Sequence, residues 1–235
     1  AKINTYLLNI MFGQNPKRGI LKGDGKELQV QSIFKTIQGE GIFVGVPAIF
    51  IRLGGCNLAC DFCDTEFENF ETIKIDDILS KINLLALNSK NEQSVKLVVI
   101  TGGEPMRQPI ELLCQKLLKQ DFKVQIETNG TLYRSLPNKV SIICSPKASK
   151  NGYSKIREDL LPKISAIKFI VAKNILEYSL IPEIGQTDYN IPVFVQPMDQ
   201  NDQKLNKENN ELAVKLALES GARLSVQTHK FIGIE

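Results

Sequence analysis

The sequence predicts an α/β fold, an incomplete TIM-like β/α barrel of about six parallel strands with about three firm helices. Two observations carry this reading. Short runs rich in aliphatic and β-branched residues recur at 48–53, 95–100, 123–126, 140–144, 167–171 and 192–195, with the continuous apolar character of strands buried on both faces. Segments with apolar residues at helical spacing lie between some of them, and strands alternating with helices argue for parallel pairing. Six strands and three helices fall short of a closed eightfold barrel, while a doubly wound sheet satisfies the same alternation.

Residues 1–30 combine an apolar start with Pro16, Lys17, Arg18, Gly19, Gly23 and Gly25, a loop-like composition that reads as an N-terminal extension on a domain spanning 31–235. The first helix is marked by Ile75, Ile78, Leu79, Ile82 and Leu85, with Asp76 and Asp77 in the first turn, where the helix dipole favours acids. A second is expected from Pro109, whose fixed φ suits the first helical position, with Leu112, Leu113, Leu117 and Leu118 as its apolar stripe. A third is expected from about Glu208 to Ser220, closing on Gly221 as a left-handed cap; the polar stretch 199–210 reads as a solvated loop leading into it. Residues 130–139 are too few for a crossover helix, and 146–163 carry only a weak helical stripe.

The chain has 235 residues, 43% hydrophobic and 23% charged, which is globular composition and excludes a mostly disordered or collagen-like chain. The net charge of +3 is too small to imply a nucleic-acid surface, so no direct nucleic-acid partner is expected. No apolar run approaches the roughly 18 residues that would span a bilayer, so no membrane partner is expected either. Three of the five cysteines crowd into 56–63, which suits thiolate ligation in a reducing compartment better than disulfide staples; the cytoplasm is the expected location.

Cys56, Cys60 and Cys63 form a C-x3-C-x2-C array directly after a buried run ending in Gly54 and Gly55, where α/β folds place their sites. A tetrahedral zinc site wants four protein ligands, and the single histidine is His229. A zinc knuckle completed by His229, Cys114 or Cys144 is the structural alternative. A 4Fe-4S cubane on three cysteines suits the array better, because its fourth iron stays open to an exogenous amino and carboxylate group. Downstream, Thr101-Gly102-Gly103-Glu104-Pro105 follows a buried run, and its glycines permit close backbone approach to a ligand. Cys114, on the apolar side of the second helix, and Cys144, at a strand end, read as packed thiols.

The cysteine array, with Phe62 before its last member, resembles the signature of radical S-adenosylmethionine (SAM) enzymes, and Gly102-Gly103-Glu104 resembles that superfamily's GGE segment. Further segments resemble one family closely, the 7-carboxy-7-deazaguanine synthases (QueE). They are Phe34-Lys35-Thr36-Ile37-Gln38-Gly39-Glu40-Gly41, Phe50-Ile51-Arg52-Leu53, Cys63-Asp64-Thr65, Glu127-Thr128-Asn129-Gly130, Ser145-Pro146-Lys147, Gln196-Pro197-Met198-Asp199 and Gln227-Thr228-His229-Lys230. The resemblance implies a radical SAM core and conversion of 6-carboxy-5,6,7,8-tetrahydropterin to 7-carboxy-7-deazaguanine with loss of ammonia, on the route to queuosine and related deazapurines.

By the same resemblance, Cys56, Cys60 and Cys63 hold the 4Fe-4S cluster. SAM is met by Phe62, Cys63, Asp64, Gly103, Glu104, Ser145, Pro146, Lys147 and Gln196. The pterin is met by Ile37, Gln38, Gly39, Arg52, Thr101, Glu127, His229 and the main chain of Glu235, and Thr65 binds Mg2+. Arg52 also has its own chemical warrant, since a strand-end guanidinium can fork onto a carboxylate. A flavodoxin-like one-electron donor and a homodimer are implied as partners. A glycyl-radical activase shares the cysteine spacing, and a non-enzymatic zinc or iron–sulfur module shares the ligands; Gln38-Gly39-Glu40-Gly41, Arg52 and His229 argue for the pterin enzyme.

Overall fold

The structure is a computed structural model that describes residues 15–63 and 65–234. Asp64 and Glu235, both expected site residues, lie outside the described residues. The chain divides into two compact units, the first comprising 1–35, 48–126 and 134–140, the second 36–47, 127–133 and 141–235.

In the first unit the strand order is β5-β4-β2-β1-β3, made of β1 (Glu27–Ile37), β2 (Pro47–Leu53), β3 (Glu71–Lys74), β4 (Leu97–Gly102) and β5 (Lys123–Thr128). β2, β4 and β5 run parallel, and β3 closes the edge antiparallel to β1. Ile49, Ile51, Leu53, Val98, Val99 and Ile100 are fully buried, as continuous apolar runs require. Helix α1 (Ile75–Leu85) buries Ile75, Ile78, Leu79 and Ile82, and its first turn carries Asp76 and Asp77 as expected. Helix α2 (Glu111–Lys119) buries Leu113, Cys114 and Leu117. It starts two residues beyond Pro109, because Pro105 instead opens a short 3-10 turn, Pro105–Arg107, whose N-cap Glu104 accepts from Met106 N at 2.9 Å.

In the second unit β6 (Ser141–Cys144), β9 (Ala166–Val171), β10 (Val193–Pro197) and β11 (Arg223–Leu224) form a parallel series in the order β11-β10-β9-β6. A small hairpin of β7 (Ala148–Ser149) and β8 (Gly152–Tyr153) occupies the stretch whose helical stripe was weak. Helix α3 (Gln203–Ser220) begins five residues before the expected start. The physical reason is Asp202, whose carboxylate accepts from Leu205 N at 2.9 Å and caps a first turn in which Leu205 is the one apolar residue. Val171, Val195 and Ala213 form one buried cluster, with Leu212 and Leu216 of α3 against it. Buried Asn209 ties the helix down, donating to Met198 O and Gln200 Oε1 at 2.9 Å each and accepting from Lys173 N at 2.8 Å. A short α4 (Thr228–Ile232), unforeseen in the sequence, closes the unit. No helix of the described residues is long and apolar enough to cross a membrane.

Two glycines separate backbone conformation from close packing. Gly221 has φ +72 with open space around a would-be Cβ, whereas Gly102 has φ +128 and a Cβ there would lie 2.0 Å from Leu53 O. Gly221→Ala is expected to cost about 1–2 kcal/mol of left-handed strain, and Gly102→Ala about 2–5 kcal/mol through strain plus overpacking. Denaturant midpoints of the two variants measure the difference.

Candidate functional site

The first unit carries the cysteine loop. β2 ends at Leu53, and the chain then turns through Gly54 and Gly55, the latter at φ +75, which favours glycine. Gly54 N donates to Gln29 O at 2.9 Å and Gly55 N to Phe67 O at 3.0 Å, which fixes the turn. Cys56 O accepts from Arg18 N at 2.7 Å, so residues read as an extension pair with the backbone of the first cysteine of the array. Farther along, Cys63 N donates to Cys60 O at 3.1 Å, Leu58 N to Cys56 Sγ at 3.4 Å, and Cys63 Sγ to Thr65 O at 3.7 Å.

The GGE segment packs on this loop by main chain. Gly103 N donates to Leu53 O at 3.1 Å and Glu104 N to Gly55 O at 3.0 Å. A Cβ on Gly103 would sit 2.2 Å from Gly55 O, so only glycine admits the approach. Glu104 is fully buried. Burial pushes the Cys56 thiol up to about 12, and the charges of Glu104, Cys60 and Cys63 add to the push. Cys56 therefore senses the other three groups. Arg52 lies at the parallel register position opposite Thr101, its guanidinium over the Phe34 ring at 5.2 Å. Phe34 in turn stacks on Phe50 at 5.6 Å.

The chemistry of the donor set suits a cubane. Three cysteines within eight residues offer three thiolates, and a cubane takes each on a different iron. Cys114 is packed in the α2 face and Cys144 at the end of β6, both fully buried, as expected of structural thiols.

The second unit gathers the remaining residues. Gln38, 3% exposed, donates from its backbone to Val46 O at 2.8 Å and accepts from Glu40 N at 3.1 Å through its side chain. Gly39 O receives Thr228 N and Thr228 Oγ1 at 3.1 Å each, and a Cβ on Gly39 would fall 2.1 Å from His229 Nδ1. Two expected pterin contacts, far apart in the chain, thus touch. Ile37 is half-buried at the end of β1. Lys147 Nζ donates to Ser145 O at 2.8 Å and Ser145 Oγ at 2.7 Å, joining two expected SAM contacts beside buried Pro146. Buried Gln196 accepts from Ser225 Oγ at 3.2 Å, and Ser225 Oγ accepts from Gly41 N at 3.2 Å.

Glu127 is part of an ionic cluster that sequence reasoning missed. Buried Lys168 donates to Glu127 Oε2 at 3.1 Å and to Glu40 Oε2, while Gln227 Nε2 donates to Glu40 Oε1 at 2.9 Å. One signal was readable: a lysine inside the apolar run Ala166–Val171 cannot stay buried without anionic partners. Burial works against the Glu40 anion, but the charge and hydrogen bond of Lys168, with Gln227 and His229, hold it down to about 2. Glu127 is raised, chiefly by burial and further by the Glu40 charge, with Lys168 opposing. Burial lowers Lys168, yet the two carboxylates outweigh it and keep the ammonium charged.

The profile of the Radical SAM superfamily matches residues 50–145, the span holding both the cysteine array and the GGE segment. A 7-carboxy-7-deazaguanine synthase from Rickettsia prowazekii is 76% identical over 234 residues, covering 100% of this chain and 99% of that protein. The chain belongs to the 7-carboxy-7-deazaguanine synthase family. A synthase of this name from Rhodospirillum rubrum is 38% identical over 95% of this chain and all of its own length, and one from Escherichia coli (strain K12) is 33% identical over 87% of this chain. The crystal structure of QueE from Escherichia coli superposes with a TM-score of 0.66 at 25% identity, covering 86% of this chain and 94% of that one. The partial α/β barrel of radical SAM enzymes is thus the fold class, as the strand and helix pattern predicted, and membership in the 7-carboxy-7-deazaguanine synthase family displaces the zinc-knuckle and activase readings.

The ionic cluster predicts opposite acid responses. The Glu40 pKa lies below its ordinary 4.5, so its stabilisation is complete above that value and is lost as pH falls from about 4.5 to about 2. The raised Glu127 has the reverse sign, giving up stability as pH rises through the range above 4.5. Carboxyl-carbon NMR titration is expected to show Glu40 titrating well below Glu127. Lys168→Met is expected to cost about 3–5 kcal/mol in urea unfolding, because it strands two buried carboxylates.

Proposed function

We infer that this chain converts 6-carboxy-5,6,7,8-tetrahydropterin to 7-carboxy-7-deazaguanine with release of ammonia, as a radical SAM lyase of queuosine biosynthesis. The observation that carries this is the Cys56–Cys60–Cys63 loop with Gly103 and Glu104 packed on its backbone, in a chain 76% identical over its length to a named synthase. Cys56, Cys60 and Cys63 hold the 4Fe-4S cluster as thiolates, each releasing its proton to solvent as iron binds. When bound, the cluster supplies the electron that cleaves SAM and so provides a radical able to take hydrogen from an unactivated C–H bond.

The residues of the chain bind and orient. Glu104, a buried carboxylate, accepts from the methionyl ammonium of SAM, and Gly103 lets main chain stand close to it. Phe62, Cys63, Asp64, Ser145, Pro146, Lys147 and Gln196 complete the SAM contacts. Arg52 forks onto the pterin carboxylate, held in place by Phe34, with Thr101 beside it in register. Ile37, Gln38, Gly39, Glu127, His229 and Glu235 serve the pterin ring, with the Glu127 carboxylate suited to its N–H donors. Thr65 contributes a hydroxyl to a Mg2+ that orients substrate oxygens. A flavodoxin-like protein is the electron donor, and the enzyme works as a homodimer in the reducing cytoplasm, where its thiols stay free.

Anaerobically reconstituted protein supplied with the carboxypterin, SAM, Mg2+ and reductant is expected to release the deazaguanine; a protein with a full cluster and no product would overturn the assignment. Arg52→Ala is expected to raise KM for the pterin by about 10- to 100-fold, the worth of one charge-assisted hydrogen-bonded pair, with a much smaller change in kcat. Chelation of Mg2+ is expected to depress turnover, and steady-state rates indifferent to chelation would remove Thr65 from the site.

A further inference from the structure

The segment after Gly102-Gly103-Glu104 buries a cation that none of the roles above uses. Arg107 ends the 3-10 turn Pro105–Arg107 and is 2% exposed. Its guanidinium donates to Gly54 O at 2.8 Å, to Gly19 O at 3.2 Å and to Gln29 Oε1. Every one of these acceptors is neutral, and Nε has no partner at all. Among the described residues no carboxylate pairs with it.

The cation sits against the cysteine loop. A Cβ on Gly55, the residue before Cys56, would lie 2.8 Å from Arg107 Nη2 and 2.9 Å from its Cζ. The same Cβ would lie 2.8 Å from Cδ of Arg18, so two arginines flank Gly55. They are not equivalent. Arg18 is partly exposed and paired with Glu68 Oε2, its Nε donating at 2.7 Å, whereas Arg107 is buried and its charge is not cancelled locally. Burial lowers the Arg107 pKa and the Arg18 charge adds to that, with Glu68 and Cys56 opposing; a guanidinium starts so high that it stays charged.

A buried cation without a counter-ion costs stability, so its place beside a cluster ligand calls for an account. Cluster potentials respond to net local charge, to hydrogen bonding and to exposure, and a charge in a low-dielectric interior acts with little screening. A one-electron-reduced cluster carries one more negative charge than the oxidised one, so a fixed positive charge nearby stabilises the reduced form more. We propose that Arg107 is a positioning residue for charge, an unneutralised guanidinium beside Gly55 and Cys56 that raises the reduction potential of the cluster and eases electron entry from the donor. The proposal rests on the cluster assignment given above.

The test is an EPR-monitored redox titration of the reconstituted full chain with no pterin present. Arg107→Gln is expected to shift the midpoint potential downwards, and Arg107→Lys, which keeps the charge, to recover most of the shift. An Arg107→Gln potential equal to wild type overturns the proposal. So does an Arg107→Lys shift as large as that of Arg107→Gln, since hydrogen-bond geometry rather than charge would then be responsible. Should Arg107→Gln fail to retain a cluster, Arg107→Met, which keeps the length of the side chain and removes its charge, decides: a downward shift supports the proposal and a potential equal to wild type overturns it. Wild-type turnover of the carboxypterin is read separately. An inactive wild type with the expected shifts defeats the functional assignment alone, and an active wild type with unmoved potentials defeats this inference alone.

Discussion

The close main-chain approach between the end of β2 and the end of β4 is the constraint on which the first unit's chemistry depends. Parallel register sets Arg52 opposite Thr101 and Leu53 opposite Gly102, so the two strands finish together. Beyond that point side chains would hold the strands apart, and the pair Gly102-Gly103 removes them. Leu53 O and Gly55 O then accept from Gly103 N and Glu104 N. The result is a cysteine loop whose first cysteine, Cys56, is seated by backbone hydrogen bonds of the protein alone. Preorganisation of this kind reduces what metal binding must supply.

The second unit solves a different problem, that of keeping carboxylates charged away from water. One ammonium, Lys168, serves both Glu40 and Glu127, and the carboxylates separate in character: Glu40, with the additional donor Gln227, is firmly anionic, while Glu127 is the less settled of the two. The cluster also links distant stretches of sequence, since Glu40 follows β1, Glu127 is the penultimate residue of β5, Lys168 lies within β9 and Gln227 precedes α4. Removing any member leaves an uncompensated group, which makes the set more a determinant of unique geometry than a source of net stability.

Much of this was legible in the sequence because it is written in local pattern. All six strand runs and all three firm helices were readable, since buried parallel strands are continuously apolar and the helices carry clear stripes. The start of α3 was not, because its first turn is stabilised by the Asp202 cap rather than by an apolar face. α4 was missed for a similar reason, being five residues long and burying none of them. In the site, Cys56, Cys60, Cys63, Gly103 and Glu104 stood out through spacing and glycine content. Arg107 gave no signal, and Gln227 stood out only as part of a family segment and not as a partner of Glu40, for a cation or an amide acquires meaning only from what tertiary structure sets beside it. Lys168 lay in between, conspicuous within an apolar run yet silent about its partners.

The fit of Gly39 against the imidazole of His229 makes these two positions interdependent in substitution. While histidine occupies 229, even one methyl group at 39 is excluded; a smaller residue at 229 would remove the imidazole clash, but the backbone nitrogen of 229, 2.9 Å from the same Cβ, would still crowd it. Tolerance at 39 is therefore set by the main chain as well as the side chain at 229, and a shift of the backbone at 229 has to accompany any loss of bulk there before the position opens.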